Sequence, residues 1–246
     1  MRGQHSWIFD AVTRRTKCEM RVADTTGTWR YRLSAVREMD VFEAIGTTRA
    51  MRRLDPSRPV SDGDLRSIIE AATKAPSGGN SQPVRWLVVT DPELKRELGE
   101  VYRRTASSLM DVSDKRDPKL WRSVWHLIDH LGESPALLVA CTKGATRRPA
   151  SVYPAVQNLM LAARALGLGT TLTTSHLEDE AAVKEILGVP DDVATYVIVP
   201  VGYPLGRWGE AQRKAVEEVS YRDRWGNPFV TYAEPQSGDG PVMAET

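Results

Sequence analysis

Two stretches of this 246-residue chain gather groups suited to gripping an anion and a flat polar guest. In "TTRAMRRLDP", Arg49, Arg52 and Arg53 stand three and four apart, a spacing that shares one face wherever a helix runs through it. The guanidinium is planar and forked, so it binds a phosphate or carboxylate bidentately, with charge assistance. In "APSGGNSQP", Ala75 to Pro83, two glycines, two prolines, two serines, an asparagine and a glutamine stand between an amphipathic run and an apolar one. Pro76 and Gly78 suffice to connect a helix to a strand. The remainder reads as a corner of backbone and amide donors offered to a ligand. The threonine-rich run "LGTTLTT" (Leu168 to Thr174) and Arg213 in "EAQRKAVEEV" add hydroxyls and a further guanidinium.

Other chemistries find less support. Gly167-Leu168-Gly169 lacks the third glycine of a dinucleotide fingerprint and follows a helical pattern, where Gly167 suits a helix C-cap. Ser77 follows no strand and Ala75 stands where a nucleophile elbow needs glycine. His126 and His130, one helical turn apart, could share a metal, but Arg122, Asp129 and Glu133 mark that face as solvated. Cys141 ends an apolar run and reads as a small buried hydrophobe. The two cysteines form no CxxC or zinc pattern, which fits a reducing compartment. A net charge of +1 gives no general field for nucleic acid or an acidic membrane. No apolar run reaches the length of a membrane span, and the start of the chain lacks a signal-peptide core. The expectation is a soluble, cytoplasmic protein with no metal, nucleic-acid or membrane partner.

The elements that must position these groups are legible from periodicity. A helical pattern covers "MDVFEAIGTTRAMRRL", and a second begins at Ser61 with Asp64 as a capping-box-like pair and carries Leu65, Ile68, Ile69 and Ala72 on one stripe. "RWLVVT" reads as a strand, and Asp91-Pro92 opens a helix with Leu94, Leu98, Val101 and Tyr102 on one face. A polar segment follows from Thr105 to Asp117. Pro118 then opens a helix with a Leu120, Val124, Leu127, Leu131 stripe, to which Trp121 and Trp125 add apolar area. "ALLVAC" is a strand, Ser151 to Leu166 a helix, "LGTTLTT" a β-prone run, "LEDEAAVKEIL" a helix and "VATYVIVPV" a buried strand. This alternation indicates one layered α/β domain. Residues 1–38 lack periodicity and read as a loosely held arm, 39–225 as the domain, and 226–246 as a C-terminal extension.

Taken in order and spacing, "TTRAMRRLDP", "APSGGNSQPVRWLVV", "QNLMLAARALGLGTTLTT" and "PVGYP" resemble the FMN-dependent nitroreductase family, with the branch containing iodotyrosine deiodinase similar in "APSG" and "TT". The resemblance covers about residues 39 to 220. It implies a mixed α+β fold, a central, mostly antiparallel sheet flanked by helices, in an intertwined homodimer that binds FMN at its interface. It assigns the phosphate and ribityl clasp to Arg49, Ala50 and Arg52, with Ala50 standing where the family carries a serine. It assigns Pro76, Ser77, Gly78, Asn80 and Gln82 to the isoalloxazine and ribityl, with Val84 replacing a common tryptophan. Thr171, Leu172, Thr173 and Thr174 would pass the flavin, Thr174 offering its hydroxyl to N5, and Arg213 would return to the phosphate. Trp121 and Trp125 fall where the family places a lid over the substrate.

The implied activity is ping-pong transfer of reducing equivalents from NADH or NADPH through FMN to a nitroaromatic, quinone or similar flat acceptor. Rival readings are a reductive dehalogenase or flavin-fragmenting synthase of the same family, or a flavin-binding protein without turnover. The Glu, Tyr and Lys set that grips the substrate in the deiodinase branch has no counterpart in "EVYRRTASSLMDVSDKRDPKLWRSVW", which disfavours deiodination. If the clasp assignment holds, Arg52→Ala or Arg213→Ala weakens FMN binding by about one to two orders of magnitude, the equivalent of a charge-assisted hydrogen bond. Unchanged flavin occupancy in both purified variants refutes it.

Overall fold

Asp40 accepts the Phe42 amide and starts α1 (Val41–Thr47). The structure is a computed structural model that describes residues 39–109, 118–144 and 148–229. Residues 1–38 and most of the expected C-terminal extension lie outside the described residues. α1 is shorter than the sequence pattern suggests. Thr47 and Thr48 turn their hydroxyls back to the carbonyls of Glu43 and Ala44, both at 2.6 Å, and the chain leaves the helix there. It continues extended: Met51 N donates to Thr170 O at 2.8 Å, Leu54 bridges Pro204, Leu205 N donates to Arg53 O at 3.0 Å, and Asp55 N donates to Tyr203 O at 2.8 Å. These bonds satisfy the backbone while Met51 and Leu54 are buried, so sheet pairing wins over helix propagation. Arg49, Arg52 and Arg53 are therefore carried on an extended segment and do not share a helix face.

α2 (Asp62–Thr73) matches its pattern. Ser61 Oγ accepts the Asp64 amide at 3.1 Å and donates to the Asp64 carboxylate at 2.8 Å, and Leu65, Ile68 and Ala72 are buried. β1 (Val84–Val89), α3 (Pro92–Leu109), α4 (Pro118–His130), β2 (Ala136–Lys143), α5 (Pro149–Ala165), β3 (Gly169–Thr170), α6 (Glu180–Leu187), β4 (Val193–Gly202) and a short α7 (Val216–Val219) follow. α3 runs on through Thr105, whose hydroxyl bonds back to Val101 O, so the polar segment starts later than its composition indicates. In α4 the buried positions are Leu127 and Ile128, while Leu120 is exposed.

The four strands form one antiparallel sheet in the order β1-β2-β4-β3, which makes the fold α+β. Side chains alternate across a strand, so Leu138 and Ala140 face one way and Leu137, Val139 and Cys141 the other. The first set packs with Val197, Val199 and Val201 against α2 and α5 through Ile68, Val152, Val156 and Leu159. The second packs with Ile198 against α3, α4 and α6 through Leu98, Tyr102, Ile128 and Val183. Both faces are covered, which is why β2 and β4 read as unbroken apolar runs. The "LGTTLTT" run pairs regularly only at Gly169 and Thr170, then touches β4 again at a Thr173–Ile198 bridge.

Gly169 permits the close approach of the arginine-bearing segment. A Cβ there would lie 2.8 Å from Met51 Cβ and 3.1 Å from both Leu54 Cδ2 and Pro204 Cβ. Gly169→Ala is expected to destabilise the protein by about 1–3 kcal/mol through this overpacking. Gly206→Ala, with nothing nearer than Met51 Sδ at 4.0 Å, serves as a control within about 0.5 kcal/mol. Equal urea midpoints for the two variants contradict the tight contact.

Candidate functional site

The extended segment 48–54 aims its arginines at two different neighbours. Arg49 reaches the chain that follows β4: its Nη1 lies 3.8 Å from where a Cβ on Gly209 would stand, and Ala211 N donates to Gly46 O at 2.9 Å beside it. That same chain carries Arg213, exposed, with Nη1 donating to Gln212 O at 2.7 Å. Arg52 is half-buried, within reach of the charge on Tyr102 of α3. Burial pulls the Arg52 guanidinium below its ordinary pKa, and the Tyr102 phenol acts in the opposite sense. An arginine remains charged under such pressure. Among the described residues no carboxylate pairs with Arg49, Arg52 or Arg213, so each guanidinium retains donors for an external anion. Half-buried Ala50 lies between them and offers only backbone polar groups.

Behind Arg52, Thr173 Oγ1 donates to Tyr102 Oη at 3.0 Å, tying the threonine run to α3. Thr171 and Thr173 are buried, whereas Leu172 and Thr174 are exposed. The alternation leaves the Leu172 and Thr174 side chains on the open side of the run. Tyr102 escapes a sequence reading because it falls on the apolar stripe of α3 and looks like core. It is indeed 4% exposed, with its phenol as a polar end.

The turn at 76–82 sits elsewhere. Gly79, Asn80 and Gln82 adopt φ of 58°, 53° and 44°, the left-handed region in which a glutamine is unusual. Three of its backbone donors serve the turn itself: Asn80 N bonds Ser77 O, Ser81 N bonds Gly78 O and Gln82 N bonds Ser77 Oγ. Gln82 Nε2 reaches Asn80 Oδ1 at 3.2 Å. The expected cradle of backbone donors is thus used in part by the turn itself, and Pro76, Gly78, Gly79, Asn80, Ser81 and Gln82 are exposed.

α5 measures the distance between the two halves. Gly78 N donates to Ser151 Oγ at 3.3 Å near the start of that helix, and Arg164 Nε donates to Thr47 Oγ1 at 2.9 Å near its end. At about 1.5 Å per residue these contacts lie roughly 20 Å apart. The sheet agrees, since β1, which the turn feeds, and β3, which the arginine segment pairs with, are opposite edges separated by about 14 Å. Within one chain, the contacts that hold the arginine-bearing segment and those that hold the turn therefore sit at opposite ends of α5.

Trp121 and Trp125 lie one turn apart on α4, Trp121 half-buried and Trp125 37% exposed. On the same helix the His126 and His130 rings are 4.4 Å apart, and His130 Nδ1 stands 2.9 Å from Glu133 Oε1. Burial lowers the His126 pKa, and the neighbouring charges of His130 and Arg53 push the same way, against Glu133 and Asp129. Among the described residues no trio of His, Cys, Asp or Glu could hold a metal ion. Cys141 is buried, and burial lifts its thiol to about 11, which makes it a poor nucleophile at neutral pH.

The donor set suits the phosphate of FMN: guanidiniums without carboxylate partners among the described residues, one of them half-buried, with exposed Leu172 and Thr174 on the run after β3. The profile of the nitroreductase family matches residues 45–203. The iodotyrosine deiodinase of Thermotoga neapolitana is 33% identical over 172 residues, covering 67% of this chain and 88% of that protein. An NADH dehydrogenase of Thermus thermophilus is 30% identical over 202 residues, covering 74% of this chain and 95% of that protein. Among solved structures, oxidized iodotyrosine deiodinase bound to FMN and 3-iodo-L-tyrosine superposes with a TM-score of 0.63 at 28% identity, covering 72% of this chain and 96% of that one.

Proposed function

The chain belongs to the nitroreductase family, and on that premise we propose that it is an FMN-dependent NAD(P)H oxidoreductase, working as a homodimer, whose acceptor is a nitroaromatic, a quinone or a similarly flat molecule. The observation that carries the reading is the group of Arg49, Arg52 and Arg213, which lack carboxylate partners among the described residues. Half-burial makes an unpaired charge costly at Arg52, the exposed Arg49 and Arg213 keep donors to offer, and a phosphate monoester supplies two negative charges and forked acceptors.

In this reading Arg49 and Arg213 hold the phosphate from two segments, and Arg52 faces it from the buried side. Ala50 leaves the ribityl chain to backbone groups and water. Thr174 presents a hydroxyl to the edge of the ring, where it can donate a hydrogen bond to a ring nitrogen. FMN supplies the two-electron chemistry when bound, and the protein supplies binding, orientation and exclusion of water. The aromatic faces of Trp121 and Trp125 suit a flat acceptor stacked over the ring.

The distance measured along α5 supports the homodimer in this reading. A turn roughly 20 Å from the clasp of its own chain meets the ring most directly when a second copy brings it there. Val41, Phe42 and Ile45 on α1 are 57%, 78% and 52% exposed, an apolar face that a second copy would cover. The 33% identity to a deiodinase favours one second reading, a reductive dehalogenase on the same scaffold.

Adding NADH or NADPH anaerobically to the purified yellow protein is expected to bleach its visible flavin bands. A quinone or nitroaromatic should then restore them, with parallel double-reciprocal plots in steady state. Faster reoxidation by 3-iodo-L-tyrosine selects the second reading. A flavin that neither nicotinamide reduces overturns both oxidoreductase assignments.

A further inference from the structure

Arg164 is a charged residue in the last turn of α5, yet it is only 8% exposed. Arginine is rarely buried without partners. A cation at a helix C-terminus is favourable, which accounts for a positive charge near this end but not for what it touches. Its Nε donates to Thr47 Oγ1 at 2.9 Å, its Nη2 lies 4.0 Å from Glu43 Oε1, and its Cζ stands 4.3 Å over the Trp208 ring.

Those contacts fall on the two segments that bear the exposed arginines of the clasp. Thr47 is the last residue of α1, two before Arg49. Trp208 precedes Gly209, which Arg49 approaches, and Ala211, which bonds Gly46 O, and Arg213 follows two residues later. We propose that Arg164 is a positioning residue for phosphate binding: one planar guanidinium, hydrogen-bonded at its edge to Thr47 and stacked on Trp208, fixes the distance between Arg49 and Arg213. The proposal rests on the reading above, in which these arginines hold the FMN phosphate. An ammonium could take the bond to Thr47 or the contact with Trp208, but a point charge on a flexible stem lacks the plane that serves both at once. Arg164 touches no ligand in this account and acts only through the two segments it joins.

A role in packing alone would weaken every flavin alike. A role in setting the clasp weakens FMN while sparing riboflavin, which carries the same ring and ribityl chain without the phosphate. The test titrates apoprotein of the full chain with FMN and with riboflavin, following quenching of flavin fluorescence. Arg164→Lys is expected to raise the FMN Kd about tenfold, the size of one lost charge-assisted hydrogen bond, with the riboflavin Kd changed less than about twofold. Unchanged FMN affinity, or equal losses for both flavins, overturns the proposal. Should Arg164→Lys fail to fold, Thr47→Val and Trp208→Leu decide, because each retains the arginine and removes one contact. FMN-selective weakening in either supports the proposal, and its absence from both overturns it. Wild-type protein that binds neither flavin refutes the functional reading itself, a failure visible before any variant is compared.

Discussion

The hydrogen bond from Met51 N to Thr170 O, with the Leu54–Pro204 bridge beyond it, is the constraint on which the candidate site depends. It lays an arginine-rich stretch along the short edge strand of the sheet. Met51 and Leu54 anchor that stretch in the core, and Gly169 lets it approach within side-chain contact. On an extended α1 the same arginines would instead share one helix face. With the pairing, Arg52 is half-buried within reach of the charge on Tyr102, and Arg49 approaches the chain leaving β4. Backbone pairing between segments more than a hundred residues apart thus sets where each guanidinium is carried.

α5 sets the scale of the rest. It packs against the sheet beside α2, carries Ser151 at one end to hold the 76–82 turn, and carries Arg164 at the other to hold the end of α1. A rigid helix between two half-sites fixes their separation, and that separation is the basis for proposing that a functional site draws on two chains. In that proposal, oligomerisation and cofactor binding are one event: the apolar side chains of α1 lose water as the turn of one copy meets the clasp of the other.

Much of this was legible in the sequence. The cap at Ser61, the apolar runs of β2 and β4 and the stripe on α2 are local signals and appear where the sequence places them. The end of α1 was not legible, because Thr47, Thr48 and the following arginines tolerate either helix or extended chain, and the choice belongs to partners more than a hundred residues away. The antiparallel sheet was available only through the resemblance, since strand and helix alternation alone would equally suit a parallel one. Tyr102 and Arg164 lay hidden in helical stripes for opposite reasons. The first looks like core, and the second is a charge inside an apolar face, the stronger of the two hints. The bonds that Asn80, Ser81 and Gln82 make inside the 76–82 turn were not legible, because composition counts donors but not the acceptors they find nearby.

The central claim, a flavin site shared between two copies, is tested most directly by pairing two defective chains. One carries Arg52→Ala with an intact turn, the other Ser77→Ala and Asn80→Ala with intact arginines, and each alone should hold FMN poorly. The account predicts that their mixed dimer recovers one intact site, with wild-type FMN affinity at half the wild-type stoichiometry. A mixed dimer that binds no more flavin than its two parents contradicts it.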